Sequence, residues 1–142
     1  MIDNKNDFLL IDHTADLGLE IKGSDPSDLF KKAGKALLQI MFGDISSDRT
    51  TFISVSLSGD DLPDLMVRWL TEILYLFEGE HLVAADIKID SLSPVALDAT
   101  IGITPFDPLQ HELIREIKAV TYHQIEVTDK NGIWSARIIL DI

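Results

Sequence analysis

Between Ser58-Gly59-Asp60-Asp61 and Gly79 the chain places Leu62, Leu65, Met66, Trp69, Leu70, Ile73, Leu74 and Phe77 at intervals of mostly three and four residues. A strand alternates its side chains between two faces and cannot gather these on one side, whereas a helix of about 3.6 residues per turn does so. The Asp pair ahead of the run supplies a cap, and Pro63 is tolerated because it falls in the first turn. A second segment has the same character. Ser24 or Asp25 opens it, Pro26 takes its first position, Gly43 follows its end, and Leu29, Ala33, Leu37, Ile40 and Met41 form the apolar stripe. Two amphipathic helices of this kind need an apolar surface to cover, and the remaining sequence must provide it. The Met and aromatic stripe of the second helix reads as core packing.

That surface reads as strands. Leu9 and Ile11, then Leu17, Leu19 and Ile21, suggest two short strands interrupted at residues 13–16, and Lys22-Gly23 makes a turn. Thr51–Ser58 alternates Ile53, Val55 and Leu57 with Ser54, Ser56 and Ser58, the pattern of a strand with one wet face. Leu82–Asp90 and Val95–Ile103 form a strand pair joined through Ser91-Leu92-Ser93-Pro94, and Pro105 and Pro108 mark Thr104–Gln110 as a loop. From Ile117 onward Val120, Tyr122, Ile125 and Val127 suggest another strand, with Thr121 and Tyr122 supporting its packing. Asp129-Lys130-Asn131-Gly132 is a hairpin signal, and Ile133–Ile142 returns from it. The expected fold is α+β: one domain over residues 1–142, with a largely antiparallel sheet layer packed by two main helices.

Composition narrows the function classes. The 142 residues carry a net charge of −12 and no cysteine. Disulfides and thiolate metal sites are therefore excluded, which fits a reducing cytoplasm. No apolar run approaches the ~20 residues of a membrane span, and MIDNKND does not read as a signal peptide. Phosphate neutralisation by Lys and Arg drives nucleic-acid affinity, so direct nucleic-acid binding is not expected of so acidic a chain. A basic protein or a divalent cation suits it better, although charge also serves solubility alone.

Asp12, His13, Thr14 and Asp16 crowd the mouth of the first strand. Such residues satisfy turns, but they also hold metals and phosphates. Three stretches in order, "DHTAD" at 12–16, "EIKAVTYH" at 116–123 and "DI" at 141–142, with "WLTEILYLFEGEHLV" at 69–83 between them, resemble the archease family over nearly the whole chain. The resemblance implies a cytoplasmic accessory protein of the GTP-dependent tRNA-splicing RNA ligase, promoting ligase guanylylation and multiple turnover, and not itself an enzyme. Some members have been discussed as chaperones. It also implies a divalent-cation site, Ca²⁺ or another hard ion, at Asp16, Asp141 and Ile142. Asp12 is the second-choice ligand. One position departs from the family pattern: a Gly-Glu pair is expected near the end of the Val95–Ile103 strand, and the chain has Gly102-Ile103. Asp107 is not assumed to replace that carboxylate.

On chemistry alone, hard cations take carboxylate and carbonyl oxygens, and the terminal carboxylate beside Asp141 already concentrates negative charge. If the first and last strands are neighbours, Asp16 joins it. Otherwise Asp16 is a turn residue and Asp141 a solvated strand end. Two alternatives stand beside the accessory-protein reading. One is a metal-dependent hydrolase using Asp16, His13 and His123, although no nucleophile motif or Gly-rich phosphate loop accompanies them. The other is a general chaperone or interaction module. Lys118 is either a partner of the Asp cluster or of the ligase, or a solvated strand residue. His81 and His111 are assigned no role.

Overall fold

The computed structural model describes residues 8–12, 16–45 and 50–142. The strands are β1 (Phe8–Asp12), β2 (Asp16–Gly23), β3 (Thr51–Ser58), β4 (Leu82–Ser93), β5 (Ala96–Pro105), β6 (Ala119–Val120), β7 (Glu126–Lys130) and β8 (Ile133–Asp141). The helices are α1 (Pro26–Phe42) and α2 (Leu62–Glu78). The α+β architecture expected from the periodicities is therefore present. His13, Thr14 and Ala15 lie outside the described residues.

Both helices start for the same physical reason. Asp25 Oδ1 accepts from the Asp28 N–H at 2.8 Å, and Asp28 Oδ2 reaches back to the Ser24 N–H at 2.9 Å. In α2, Asp61 Oδ1 accepts from the Asp64 N–H at 2.9 Å, and Asp64 Oδ2 accepts from the Asp60 N–H at 2.8 Å. Each cap satisfies orphan donors of the first turn and contributes about 1 kcal/mol. Between Ser24 and Asp25 as possible caps of α1, the structure selects Asp25. The apolar stripes do the rest. Leu65, Met66, Trp69, Leu70 and Ile73 of α2 are buried, as are Leu29, Phe30, Ala33 and Leu37 of α1. Full burial of each large side chain is worth about 1.5–3 kcal/mol before ordering costs. The helices are joined across the core by Trp69 Nε1, which donates to the Phe30 carbonyl at 2.8 Å. Gly34 permits the close approach, since a Cβ there would lie 2.7 Å from Ile87 Cδ1 and 2.8 Å from Ile73 Cδ1.

The strands divide into two antiparallel sheets. One has the order β1-β2-β8-β6, with β7 also pairing β8, and the other runs β3-β5-β4. Helix α1 touches β2 and β8 of the first sheet and β4 of the second, while α2 touches β4 and β3 on one side and β6 and β7 on the other. In β3 the wet face is as expected for the serines, and Phe52 sits on it with 60% exposure.

Local boundaries differ from the sequence reading in three places. Strand β4 continues through Ser93, and the hairpin turns on Pro94-Val95, because Ser93 pairs with Ala96. Strand β5 continues to Pro105, which lies opposite Leu82. The run from Ile117 to Val127 is two strands, not one. Gln124 adopts a φ of 52°, and the Thr121 hydroxyl accepts from the His123 N–H at 3.3 Å, which turns the chain between β6 and β7. Asn131 and Gly132, with φ of 57° and 83°, make the β7–β8 hairpin as expected.

Candidate metal centre at the β2–β8 edge

The core itself sets the position of the acidic cluster. Leu17, Leu19 and Ile21 of β2 lie opposite Leu140, Ile138 and Ala136 of β8, and all six are buried. A slip by one residue would turn the whole set to the other face, so this register is strongly specified. It places Asp16 directly opposite Asp141. Cross-strand partners share a face with Cβ atoms about 4.5–5.5 Å apart, and like charges so placed destabilise the pair. The neighbourhood of the last strand is also fixed. Ala119 is the other partner of Asp141, and the Lys118 N–H donates to the Asp141 carbonyl at 2.7 Å. Thr121 donates its N–H and its hydroxyl to the Ile139 carbonyl at 3.0 and 2.8 Å. Ile142 packs its side chain against the core, which anchors the residue that follows Asp141.

Asp16 Oδ1 is buried and has no hydrogen-bond partner among the described residues. A buried, unpaired carboxylate oxygen costs far more than a neutral group left unpaired. Facing a second aspartate, it fits the electrostatic demand of a cation: oxygen donors, negative charge and no competing donor among the described residues. The first strand, β1, is not the neighbour of the last; it is β2, the second strand, that pairs with β8 and so brings Asp16 beside Asp141.

The other candidate residues fall elsewhere. Among the described residues no group of three or more His, Asp or Glu side chains is close enough to hold a metal. His123 is exposed in the turn between β6 and β7, where its backbone bonds to Thr121. Its intended partner His13 lies outside the described residues. The Lys118 side chain is exposed, and its backbone rather than its ammonium meets Asp141. Ile103, where the family pattern suggests a glutamate, is half-buried against the core, opposite Thr51 and Ala84. Asp107 shapes its own loop: its Oδ1 accepts from the Leu109 N–H at 3.0 Å, and its N–H donates to His111 Nδ1 at 2.9 Å.

A feature the sequence did not suggest ties this side of the molecule together. The Tyr122 hydroxyl donates to Asp64 Oδ1 at 2.6 Å, while Arg68 Nε donates to Asp64 Oδ2 at 2.9 Å. The Tyr122 bond, then the Asp60 N–H, hold the Asp64 carboxyl below its ordinary range, and the same bond pushes the Tyr122 hydroxyl up. Tyr122 thus tethers the segment after β6 to the start of α2, where sequence reading assigned it to strand packing. No helix among the described residues is long and apolar enough to cross a membrane.

Comparison with known proteins agrees with this architecture. The sequence profile of the Archease protein family (MTH1598/TM1083) matches residues 8–142. The chain is 30% identical over 136 residues to protein archease of Methanosarcina barkeri, covering 93% of each chain. It is 30% identical over 135 residues to that of Methanopyrus kandleri, covering 93% of this chain and 96% of the relative. Among solved structures, Methanobacterium thermoautotrophicum protein 1598 superposes with a TM-score of 0.74 at 29% identity, over 96% of this chain and 99% of that one. The Thermotoga maritima structure, described as an archease and possible chaperone, shares the fold with a TM-score of 0.65 at 22% identity, over 93% and 94% of the two chains. The profile match over nearly the whole length and the relatives at 30% identity agree: the chain belongs to the archease family.

Proposed function

We propose that this protein is an accessory factor, not an enzyme, that activates a GTP-dependent tRNA-splicing RNA ligase through a hard divalent cation held by Asp16, Asp141 and Ile142. The observation that carries the reading is the buried, unpartnered Asp16 Oδ1 directly opposite Asp141, in a chain of the archease family. Ca²⁺ takes about six to eight oxygens, more than these three groups readily supply. Its remaining positions are open to water or to groups of the partner. An exposed strand end with Asp141 at the surface gives a partner access to them. An activator changes a partner's rate only through differential contacts with its states. A cation shared between this edge and the ligase's nucleotide-bearing state supplies such a contact.

A protein partner is consistent with the net charge of −12, which disfavours autonomous RNA binding. The description of the Thermotoga maritima relative as a possible chaperone also points to action on another protein. The test is pre-steady-state guanylylation of the cognate ligase with wild type, Asp16→Ala, Asp141→Ala and Glu80→Ala. The first two variants should lose activation while Glu80→Ala keeps it. All three remove one negative charge, so equal small losses would leave only diffuse acidity and sink the cation mechanism. Turnover of RNA or phosphate esters by the protein alone, lost on His13→Ala, would favour the hydrolase instead.

A further inference from the structure

A second acidic feature lies at the opposite ends of the two helices from their aspartate caps. Met41 of α1, Phe77 of α2, and Leu113 and Ile117 of the segment between β5 and β6 wall an open cavity of about 330 Å³, with Glu78 and Glu116 among its lining. That volume is at the small end of ligand sites, which run roughly 300–1,000 Å³. His81, held at a φ of 54° with its ring 5.9 Å from Phe77, completes the lining. Three observations give the cavity a sign. Both glutamates are exposed, and no Lys or Arg lines the cavity among the described residues. Neither α1 nor α2 has a basic residue in its last turn, although the Met41 carbonyl at the end of α1 accepts backbone N–H groups from Ile114 and Arg115. The walls are nevertheless apolar, and Met41 and Ile117 are buried. A hard metal ion is poorly served by such walls, and no three-residue metal group exists among the described residues.

We infer that this cavity receives an arginine or lysine side chain of a protein partner, its aliphatic stem against Met41, Phe77, Leu113 and Ile117 and its charged head between Glu78 and Glu116. Long basic side chains have this two-part character, an apolar stem and a charged tip. The Phe77 ring adds attraction for a cation. The segment from Glu116 to Ala119 runs from this cavity to the Asp141 end of β8, so one partner can engage both features.

The test titrates the full chain with acetyl-arginine methylamide and with its neutral isostere, acetyl-citrulline methylamide, and follows backbone and methyl NMR signals. The arginine probe should shift Met41, Phe77, Leu113 and Ile117 and bind roughly three- to fivefold more tightly than citrulline. Glu78→Gln with Glu116→Gln keeps the shape and should abolish that difference. Equal binding of the two probes, no loss in the double variant, or shifts confined to the Asp16–Asp141 edge would each overturn the inference. So would Mn²⁺ broadening these cavity signals and displacing the arginine probe, which would make the site a metal site. The double variant should also weaken association with the ligase while leaving Ca²⁺ binding unchanged. A ligase that does not bind the wild type at all would count against the proposed function, whereas the probe titration decides the cavity independently.

Discussion

Two aspartate sites, one on each sheet, are built in opposite ways, although Glu20 on the sheet of Asp16 is itself paired with Arg137. On the β3-β5-β4 sheet, Asp98 accepts from the Ser56 hydroxyl at 2.6 Å and the Ser91 hydroxyl at 3.0 Å, and Asp90 accepts from the Thr100 hydroxyl at 2.7 Å. The two serine donors hold Asp98 below the usual carboxylate range. On the β1-β2-β8 sheet, Asp16 faces another aspartate, and its buried oxygen has no donor among the described residues. The residue type is the same, but Asp16 opens β2 with a buried Oδ1 while Asp98 is exposed within β5, and their partners differ. A carboxylate surrounded by donors stabilises the fold by itself, whereas one facing another carboxylate stabilises it only after a cation arrives. The β1-β2-β8 sheet therefore carries a local cost at Asp16 that a bound cation would offset, and the hydroxyl-paired Asp98 carries none.

The sharpest way to break this contrast is cation affinity. Calorimetry with Ca²⁺ should show Asp16→Ala and Asp141→Ala weakened by roughly a hundredfold or more, since even outer-shell losses at metal sites reach about 10- to 100-fold. Asp98→Ala should bind as wild type does. Equal affinities in all four proteins would place the cation elsewhere and erase the distinction between the two sites.

Stability without metal gives a smaller effect with opposite signs. In a chelator, urea unfolding should find Asp16→Ala more stable than wild type by about 1 kcal/mol, because an unsatisfied buried carboxylate is gone. Asp98→Ala should be less stable, because two serine hydroxyls lose their acceptor. Saturating Ca²⁺ should reverse the first result, as wild type gains more binding free energy on folding than Asp16→Ala does. Destabilisation of Asp16→Ala in chelator would mean that Asp16 has an internal partner after all.

The smallest effect concerns the Tyr122–Asp64 tether. Asp64 is held below its ordinary 3.8, so its contribution is present above that value and fades as pH falls through the lowered one. The Tyr122 hydroxyl is raised above its ordinary 10.0, so its contribution is present below 10.0 and fades as pH rises through the raised value. Tyr122→Phe should lower stability slightly between these limits and flatten the profile at both ends. An unchanged pH profile would show that the bond is not formed in solution.

Much of the architecture could be read from neighbouring residues. Asp25 and Asp61, each followed within two residues by proline, announce the helix starts because caps and first-turn prolines act within four residues of chain. Asn131-Gly132 announces its turn because only a few residue types accept two positive φ values in succession. The break between β6 and β7 escaped the sequence because Val120, Tyr122, Ile125 and Val127 also suit one continuous strand. The Thr121 contacts that bend it come from β8, 18 residues away. The division into two sheets escaped for a related reason, since β3 and β2 carry similar alternation and nothing local names their partners.

The site divides along the same line. The sequence alone determined that Asp16 ends the 12–16 motif, that Asp141 and Ile142 follow the apolar run Ile138-Ile139-Leu140, and that each lies in or next to a strand. Their meeting was decided only by tertiary structure, through six buried residues of β2 and β8 that admit one register. The acidic cavity belongs wholly to the second class. Its lining comes from α1, α2, the turn after it and the segment before β6, and no stretch of sequence holds more than a fragment. Side-chain identity and local conformation are short-range properties, whereas the burial that sets register and the charge left unpaired depend on what the folded chain brings alongside.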